Sequence, residues 1–180
     1  GYIVSDVTGP TSRTGISGTY AYNIALNEEI RLSMGMALGL YQFKMDVSKV
    51  QLYDDQDPAK NNVYTDFYPD AVVGVYMYAT NFQVGFSAAQ LIPNKIKIYD
   101  TKTGLSKLKA HFYLTGSYQY LINRDWAVEP NIIFRGVTPV PLQMDFNTRV
   151  IFRNIAWGGL AWRTSDAISV FLGYNHENKF

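Results

Sequence analysis

Residues 30–43 read IRLSMGMALGLYQF. Ile30, Leu32, Met34, Met36, Leu38 and Leu40 occupy every second position, and Arg31, Ser33, Gly35, Ala37, Gly39 and Tyr41 fall between them. A repeat of two is the period of an extended strand, whose successive side chains point to opposite faces; a helix would repeat every 3.6. One face of this strand is wholly apolar and the other is small or polar. In a water-soluble antiparallel sheet those faces are core and solvent. In a membrane barrel they are lipid and lumen.

The same alternation recurs along the chain. It predicts strands over 14–26, 70–79, 82–91, 108–122, 126–136, 142–152 and 167–174, and a partial strand over Tyr2 to Val4. Residues 155–163 are apolar on both faces, which leaves their orientation open. Together this is an all-β pattern of about ten strands with no helix. Many of these segments exceed the roughly five or six residues of a soluble strand and match the roughly 9–11 that cross an outer membrane at a tilt. Short turns are expected at 27–29, 80–81, 123–125 and 153–154. Longer loops are expected at 44–69 and 92–107, and shorter ones at 137–141 and 164–166. Short turns on one side and longer loops on the other is the layout of outer-membrane barrels, with the short turns periplasmic and the long loops extracellular.

Composition narrows the function. The chain holds 14 Tyr, 10 Phe, 3 Trp and 14 Gly, a balance suited to a β-rich protein with aromatics at its interfaces. Tyr20, Tyr22, Tyr118, Tyr120, Trp126 and Tyr174 lie near predicted strand ends, as interfacial girdle residues do, although cross-strand aromatic pairs in a core would look the same. The net charge is +1 and the basic residues are scattered, which argues against nucleic acid as a partner. There is no Cys, so disulfides and thiolate sites are excluded, and two His, at 111 and 176, leave little for a His-based metal site. No apolar run approaches the ~18 residues of a membrane helix. The greasiest stretch, AVVGVYMYA at 71–79, suits a tilted membrane strand. No signal peptide is visible before Gly1, so either one has been removed or the chain is part of a longer one.

The polar faces carry Arg31, Asp70, Lys109, His111, Glu129, Arg135, Asp145 and Arg149. In a barrel these residues point into the lumen. The mixture of signs fits a paired network that fills and stiffens the interior better than a selective pathway, which tends to carry one sign. His111 with Ser117 or Asp145 contains the residue types of a hydrolase, but no surrounding motif supports that chemistry. No catalytic residue, cofactor or metal is expected. DDQDPAKNN at 54–62, with Asp54, Asp55 and Asp57, is rich in oxygen ligands but lacks the spacing and closing Glu of a calcium loop. It reads as a solvated loop tip, and a loop of this length is the expected binding surface.

Three stretches carry a resemblance. They are DVTGPTSRTGISGTYAYNIAL at 6–26, PVPLQMDFNTRVIF at 139–152 and AWGGLAWRTSDAISVFLGYN at 156–175. In this order the chain resembles the PorP/SprF family of type IX secretion system membrane proteins. The resemblance implies an outer-membrane β-barrel linked to type IX secretion and gliding motility, aiding secretion or surface anchoring of large adhesins. Contact with outer-membrane lipid and with other secretion components is implied too, and no catalytic motif. Thr8, Gly9, Pro10, Pro139, Pro141, Asp145, Arg163, Thr164 and Asp166 match recurrent family positions; they are expected to shape loops or contact partners. Family members extend further at both ends. Residues 1–180 are therefore expected to be one barrel domain lacking terminal parts, within a barrel of about 12–14 strands. On that expectation the strand ending at Tyr174 is left at an edge or pairs with another chain, and NHENK at 175–179 is a periplasmic turn. Two other readings stay open: a transport channel for fatty acids or small solutes, and a soluble β-sandwich or lipocalin-like binding module. The soluble form should purify without detergent and show no heat-modifiable gel shift.

Overall fold

The computed structural model describes residues 1–49, 63–96, 106–164 and 166–175. Along the chain run β1 (Tyr2–Thr8), β2 (Thr11–Ala25), β3 (Arg31–Asp46), β4 (Val63–Tyr78), β5 (Phe82–Ala89), β6 (Lys95–Ile96), β7 (Ser106–Lys107), β8 (His111–Tyr118), β9 (Tyr120–Leu121), β10 (Trp126–Val137), β11 (Val140–Phe152), β12 (Ala156–Arg163) and β13 (Ala167–Tyr174). The one helical piece among the described residues is a 3-10 turn at Val47–Lys49. The main sheet has the order β1-β2-β3-β4-β5-β8-β10-β11-β12-β13, with β9 beside β10, and β6 and β7 pair separately. Most neighbours in the sheet are successive along the chain; β5 pairs with β8 across the separate β6–β7 pair, and β8 with β10 across the short β9. The order begins at β1 and ends at β13.

By its contacts the chain divides into two units. One comprises Gly1–Tyr20, Gly35–Val73 and Ala89–Ala110. Here β1 pairs antiparallel with β2, placing Tyr2 opposite Ser17 and Ile3 opposite Ile16. Ile3, Ile16, Leu38, Leu40 and Phe67 are exposed. Ser17, Tyr41 and Tyr68, at alternate positions to those, are buried. The Tyr41 and Tyr68 rings stack with centroids 5.7 Å apart, and the Tyr2 and Tyr41 hydroxyls are 3.1 Å apart. Ser17 Oγ donates to the Leu38 carbonyl at 3.3 Å. Glycine makes room for the central ring: a Cβ on Gly15 would lie 2.2 Å from Tyr41, and one on Gly39 would lie 2.6 Å away.

The other unit comprises Ala21–Met34, Gly74–Ala88 and His111–Phe180. Antiparallel ladders join β8 to β10 and run on through β11, β12 and β13. Its exposed face carries Phe112, Leu114, Phe146, Val150, Leu160, Trp162, Ile168, Val170 and Leu172. Its covered face holds Ala127, Asp145 and Ile151, all buried. Phe146 and Trp162, directly opposite in register, stack at 5.6 Å, and Trp126 and Phe152 pair at 4.7 Å. Some of the aromatics are thus cross-strand partners on the exposed face, each such pair contributing roughly 0.2–1 kcal/mol.

The register also fixes the orientation of 155–163. Leu160 and Trp162 are exposed, while Trp157 lies under the Arg149 guanidinium at 5.7 Å and against Gly173, where a Cβ would come within 2.1 Å of the indole.

Burial in both units is therefore inverted relative to a water-soluble sheet. Large apolar side chains line the exposed face, and a serine and an aspartate are among the few buried residues. Among the described residues no large side chain is fully buried. A soluble sandwich would hide the apolar rows and hydrate the polar ones.

Two expected boundaries need correction. The stretch 44–69 is not all loop: β3 continues to Asp46 and β4 starts at Val63. Alternation persists there, with Val63 and Phe67 exposed and Tyr68 buried, but Pro69 and the interspersed charges disguise it. The predicted strand 108–122 is interrupted, with β8 ending at Tyr118 and β9 starting at Tyr120; the intervening Gln119 N–H bonds the Asn81 carbonyl at 2.7 Å.

The short turns have a shared chemistry. Asn27 Oδ1 accepts the N–H groups of Glu29 (2.9 Å) and Ile30 (2.7 Å). Asn123 Oδ1 accepts those of Asp125 and Trp126, both at 2.9 Å. An Asn side chain that stands in for a backbone acceptor is what lets a short turn close without glycine.

Gly15→Ala should destabilise the chain by about 1–3 kcal/mol, because the new methyl meets both the Tyr41 ring and the Leu40 carbonyl, at 2.9 Å. Gly18→Ala, on the same strand with nothing within 4 Å, should not. The urea midpoint of each variant checks the difference.

Candidate functional site

The covered face of β8, β10, β11 and β12 carries a ladder of polar pairs set by strand register. Glu129 on β10 stands opposite Arg149 on β11, and Arg149 Nη2 donates to Glu129 Oε2 at 2.7 Å. One pair further along, Asn131 faces Asn147; Asn147 Nδ2 donates to Asn131 Oδ1 at 3.0 Å, and Asn131 Nδ2 reaches Thr115 Oγ1 on β8 at 3.5 Å. Next comes Asp145, which stands opposite Arg163 of β12. Arg163 Nε lies 3.0 Å from Asp145 Oδ1, and Arg135 Nη2 of β10 lies 2.6 Å from Oδ2. The aspartate side chain is 8 % exposed, while the two arginines are 36 % and 38 % exposed. One buried carboxylate thus joins three strands, through a charge-assisted hydrogen bond from Arg163 and an ion pair with Arg135.

Arg163, Thr164 and Asp166, expected in a loop, belong to this same cluster. Arg163 is the last residue of β12 and reaches Asp166 at 4.0 Å. The Thr164 N–H donates to the Met144 carbonyl at 2.9 Å, and its hydroxyl accepts from the Met144 N–H at 3.0 Å, so the turn is fastened to β11. Thr8 is the last residue of β1 and Pro141 lies within β11, so neither is a loop residue. Gly9, at φ +58°, and Pro10 form the connection between β1 and β2. The Pro10 carbonyl accepts the Asp46 N–H at 2.8 Å. Pro139 follows a cis peptide bond in the connection between β10 and β11.

The remaining candidates are spread out. Arg31 opens β3, exposed, with no ion pair among the described residues. Lys109 precedes β8, and His111 is its first residue, opposite Val137. Asp70 Oδ1 accepts the N–H of Ala71 at 2.8 Å. Asp54, Asp55 and Asp57 lie outside the described residues, as does most of NHENK. Of the hydrolase residue types, His111 and Ser117 are not brought together: they sit toward opposite ends of one strand, about 20 Å apart at the rise of an extended chain. Among the described residues no three metal-ligating side chains of His or carboxylate type come together.

Two features escaped the sequence reading. The Arg13 guanidinium lies 4.6 Å from the Tyr41 ring centroid and 5.7 Å from that of Tyr68, capping the aromatic stack. Its place at every second position before Gly15 and Ser17 is the signal that would have found it. Asp125 and Arg153 tie two short turns together, with Nε–Oδ1 at 2.8 Å, Nη2–Oδ2 at 3.2 Å and the Arg153 N–H on the Asp125 carbonyl at 2.7 Å. The hydrogen bond from Arg153 holds the Asp125 carboxyl below its ordinary value. Arg153 and Asn154 both adopt positive φ, 51° and 56°, as a tight hairpin turn requires.

Comparison with known families gives one match, to the family described as type IX secretion system membrane protein PorP/SprF, over residues 1–180. The chain belongs to the PorP/SprF family. No curated protein and no solved structure matches it. Membership extends the resemblance from three stretches to the whole chain and makes it a membrane component of the type IX secretion system. For a PorP/SprF protein the inverted burial is then coherent, since a membrane component needs an apolar face on its outside. The ladder pairs polar groups of the other face with one another.

Asp145→Ala should cost about 2–3 kcal/mol, below the ~3–5 of a fully buried pair because both arginines remain about a third exposed. The urea midpoint should fall accordingly, whereas Arg31→Ala should leave it unchanged.

Proposed function

We propose that this PorP/SprF chain is a non-enzymatic outer-membrane β-barrel of the type IX secretion and gliding machinery. It aids the secretion or surface anchoring of large adhesins by presenting its connections to them. The observation that carries this reading is the one-sided exposure of apolar side chains, such as Ile168, Val170 and Leu172 on β13, which suits contact with outer-membrane lipid. The polar face, with Glu129, Arg135, Asp145 and Arg149 in paired contacts, lines the lumen and stiffens it; Arg31, Lys109 and His111 belong to the same lumen set. Paired charges of both signs favour a scaffold over a solute channel, whose selectivity would call for one sign. The short turns, closed by Asn27 and Asn123, face the periplasmic part of the machine. The long connection holding Asp54, Asp55 and Asp57 faces the outside. Thr8, Gly9, Pro10, Pro139, Pro141, Thr164 and Asp166 shape neighbouring contact surfaces.

A photo-crosslinker placed at Asp55 in the native membrane tests the assignment. Recovery of a large secreted adhesin or another secretion component is expected, and recovery of lipid alone would count against it. Rapid solute flux in proteoliposomes would instead support the channel reading.

A further inference from the structure

We infer that Arg135 and the cavity it lines form a binding site for an external carboxylate. Three observations carry this. First, Arg135 shares the carboxylate of Asp145 with a second guanidinium, that of Arg163, so it is not matched one to one; the other negative charge of the cluster, Asp166, lies 4.0 Å from Arg163 and is 55 % exposed. Second, the close approach to Asp145 is made by Nη2 of Arg135 and by Nε of Arg163. A guanidinium has five N–H donors in a planar fork matched to a carboxylate, so each keeps donors for a second acceptor. Third, a cavity of about 220 Å³ opens against Arg135, and its polar lining consists of His111, Tyr113 and Gln143 along with that arginine. Gln143 stands directly opposite Arg135 in the β10–β11 ladder and Tyr113 opposite it in the β8–β10 ladder. The site is therefore framed by three strands, and its donors are held by sheet register and not by a loop.

The chemistry selects the ligand class. Arginine donors, an amide and a phenol suit a planar two-oxygen anion; the valine and proline part of the lining, Val137, Val140 and Pro141, suits a short aliphatic stem behind it. A small free carboxylate and the acidic side chain of an extended protein segment both present that group. Asp145 is the internal carboxylate against which either one competes for Arg135. This inference is independent of the secretion role proposed above and can fail without it, because it is read on the purified chain alone.

The test is saturation-transfer NMR on the full chain in detergent micelles. One probe is sodium acetate; the other is a blocked Gly-Glu-Gly peptide, with Gly-Gln-Gly as control. Saturable binding of acetate is expected, weakened about tenfold or more by Arg135→Gln, the size of a lost charged hydrogen bond. Gln143→Glu, which puts a tethered carboxylate opposite Arg135, should abolish binding. Asp145→Asn should tighten binding by freeing donors; since that variant also loses a structural bridge, Gln143→Glu is the deciding one, with its fold checked by the heat-modifiable gel shift. Displacement of acetate by the Glu peptide but not the Gln peptide assigns the site to a protein side chain. Acetate binding without peptide binding assigns it to a free carboxylate. Absence of saturable binding by both probes, or binding unmoved by Arg135→Gln and Gln143→Glu, overturns the proposal.

Discussion

Everything in this chain depends on one constraint: an extended strand shows its side chains to two sides, and here the apolar side is the exposed one. Met34, Met36, Leu38 and Leu40 on β3, and Ile168, Val170 and Leu172 on β13, are exposed. At roughly 25 cal/mol per Å² of apolar surface, leaving such rows in water would cost more than a marginally stable domain can offset. A non-aqueous neighbour removes that cost. Membership in a family of membrane proteins supplies the setting in which the pattern is stable.

The same constraint shapes the other face. Polar side chains turned away from the apolar side must find partners within the protein, because an unpaired buried charge is far more costly than a paired one. The ladder from Glu129–Arg149 through Asn131–Asn147 to Asp145 and its two arginines meets that requirement. Aromatic rings fill the remaining space over glycines, as Tyr41 does over Gly15 and Gly39 and Trp157 does over Gly173. Such glycines serve close packing, and none of them needs an unusual backbone angle.

Much of the fold was legible in the sequence because the period-two signal is local. It located strands β2, β3, β5 and β10 to β13 to within a few residues and identified which residues share a face. It failed where local cues conflicted with tertiary ones. Pro69 and nearby charges hid the start of β4, although Tyr68 is anchored there by its stack on Tyr41. Residues 155–163, apolar on both sides, could be oriented only through their register with Asp145 and Phe171. The polar cluster was half legible for the same reason. Arg135 and Asp145 stood out as inward charges, but Arg163 read as a loop residue, because which residue faces which across two strands follows from turn geometry and not from composition. Arg13 was missed because its partners, Tyr41 and Tyr68, lie on other strands.

The central claim is that the exposed apolar face of the sheet meets lipid while the alternate face does not. The chain has no cysteine, so a single introduced one gives a unique probe site. Spin labels at Ser33, Met34, Gly35, Met36, Ala37 and Leu38, with the protein in liposomes, report contact with lipid-soluble oxygen or with a water-soluble nickel complex. Strong oxygen relaxation at Met34, Met36 and Leu38, alternating with weak relaxation at Ser33, Gly35 and Ala37, is the predicted result. Relaxation by the nickel complex at the even positions, or no alternation at all, would contradict the account.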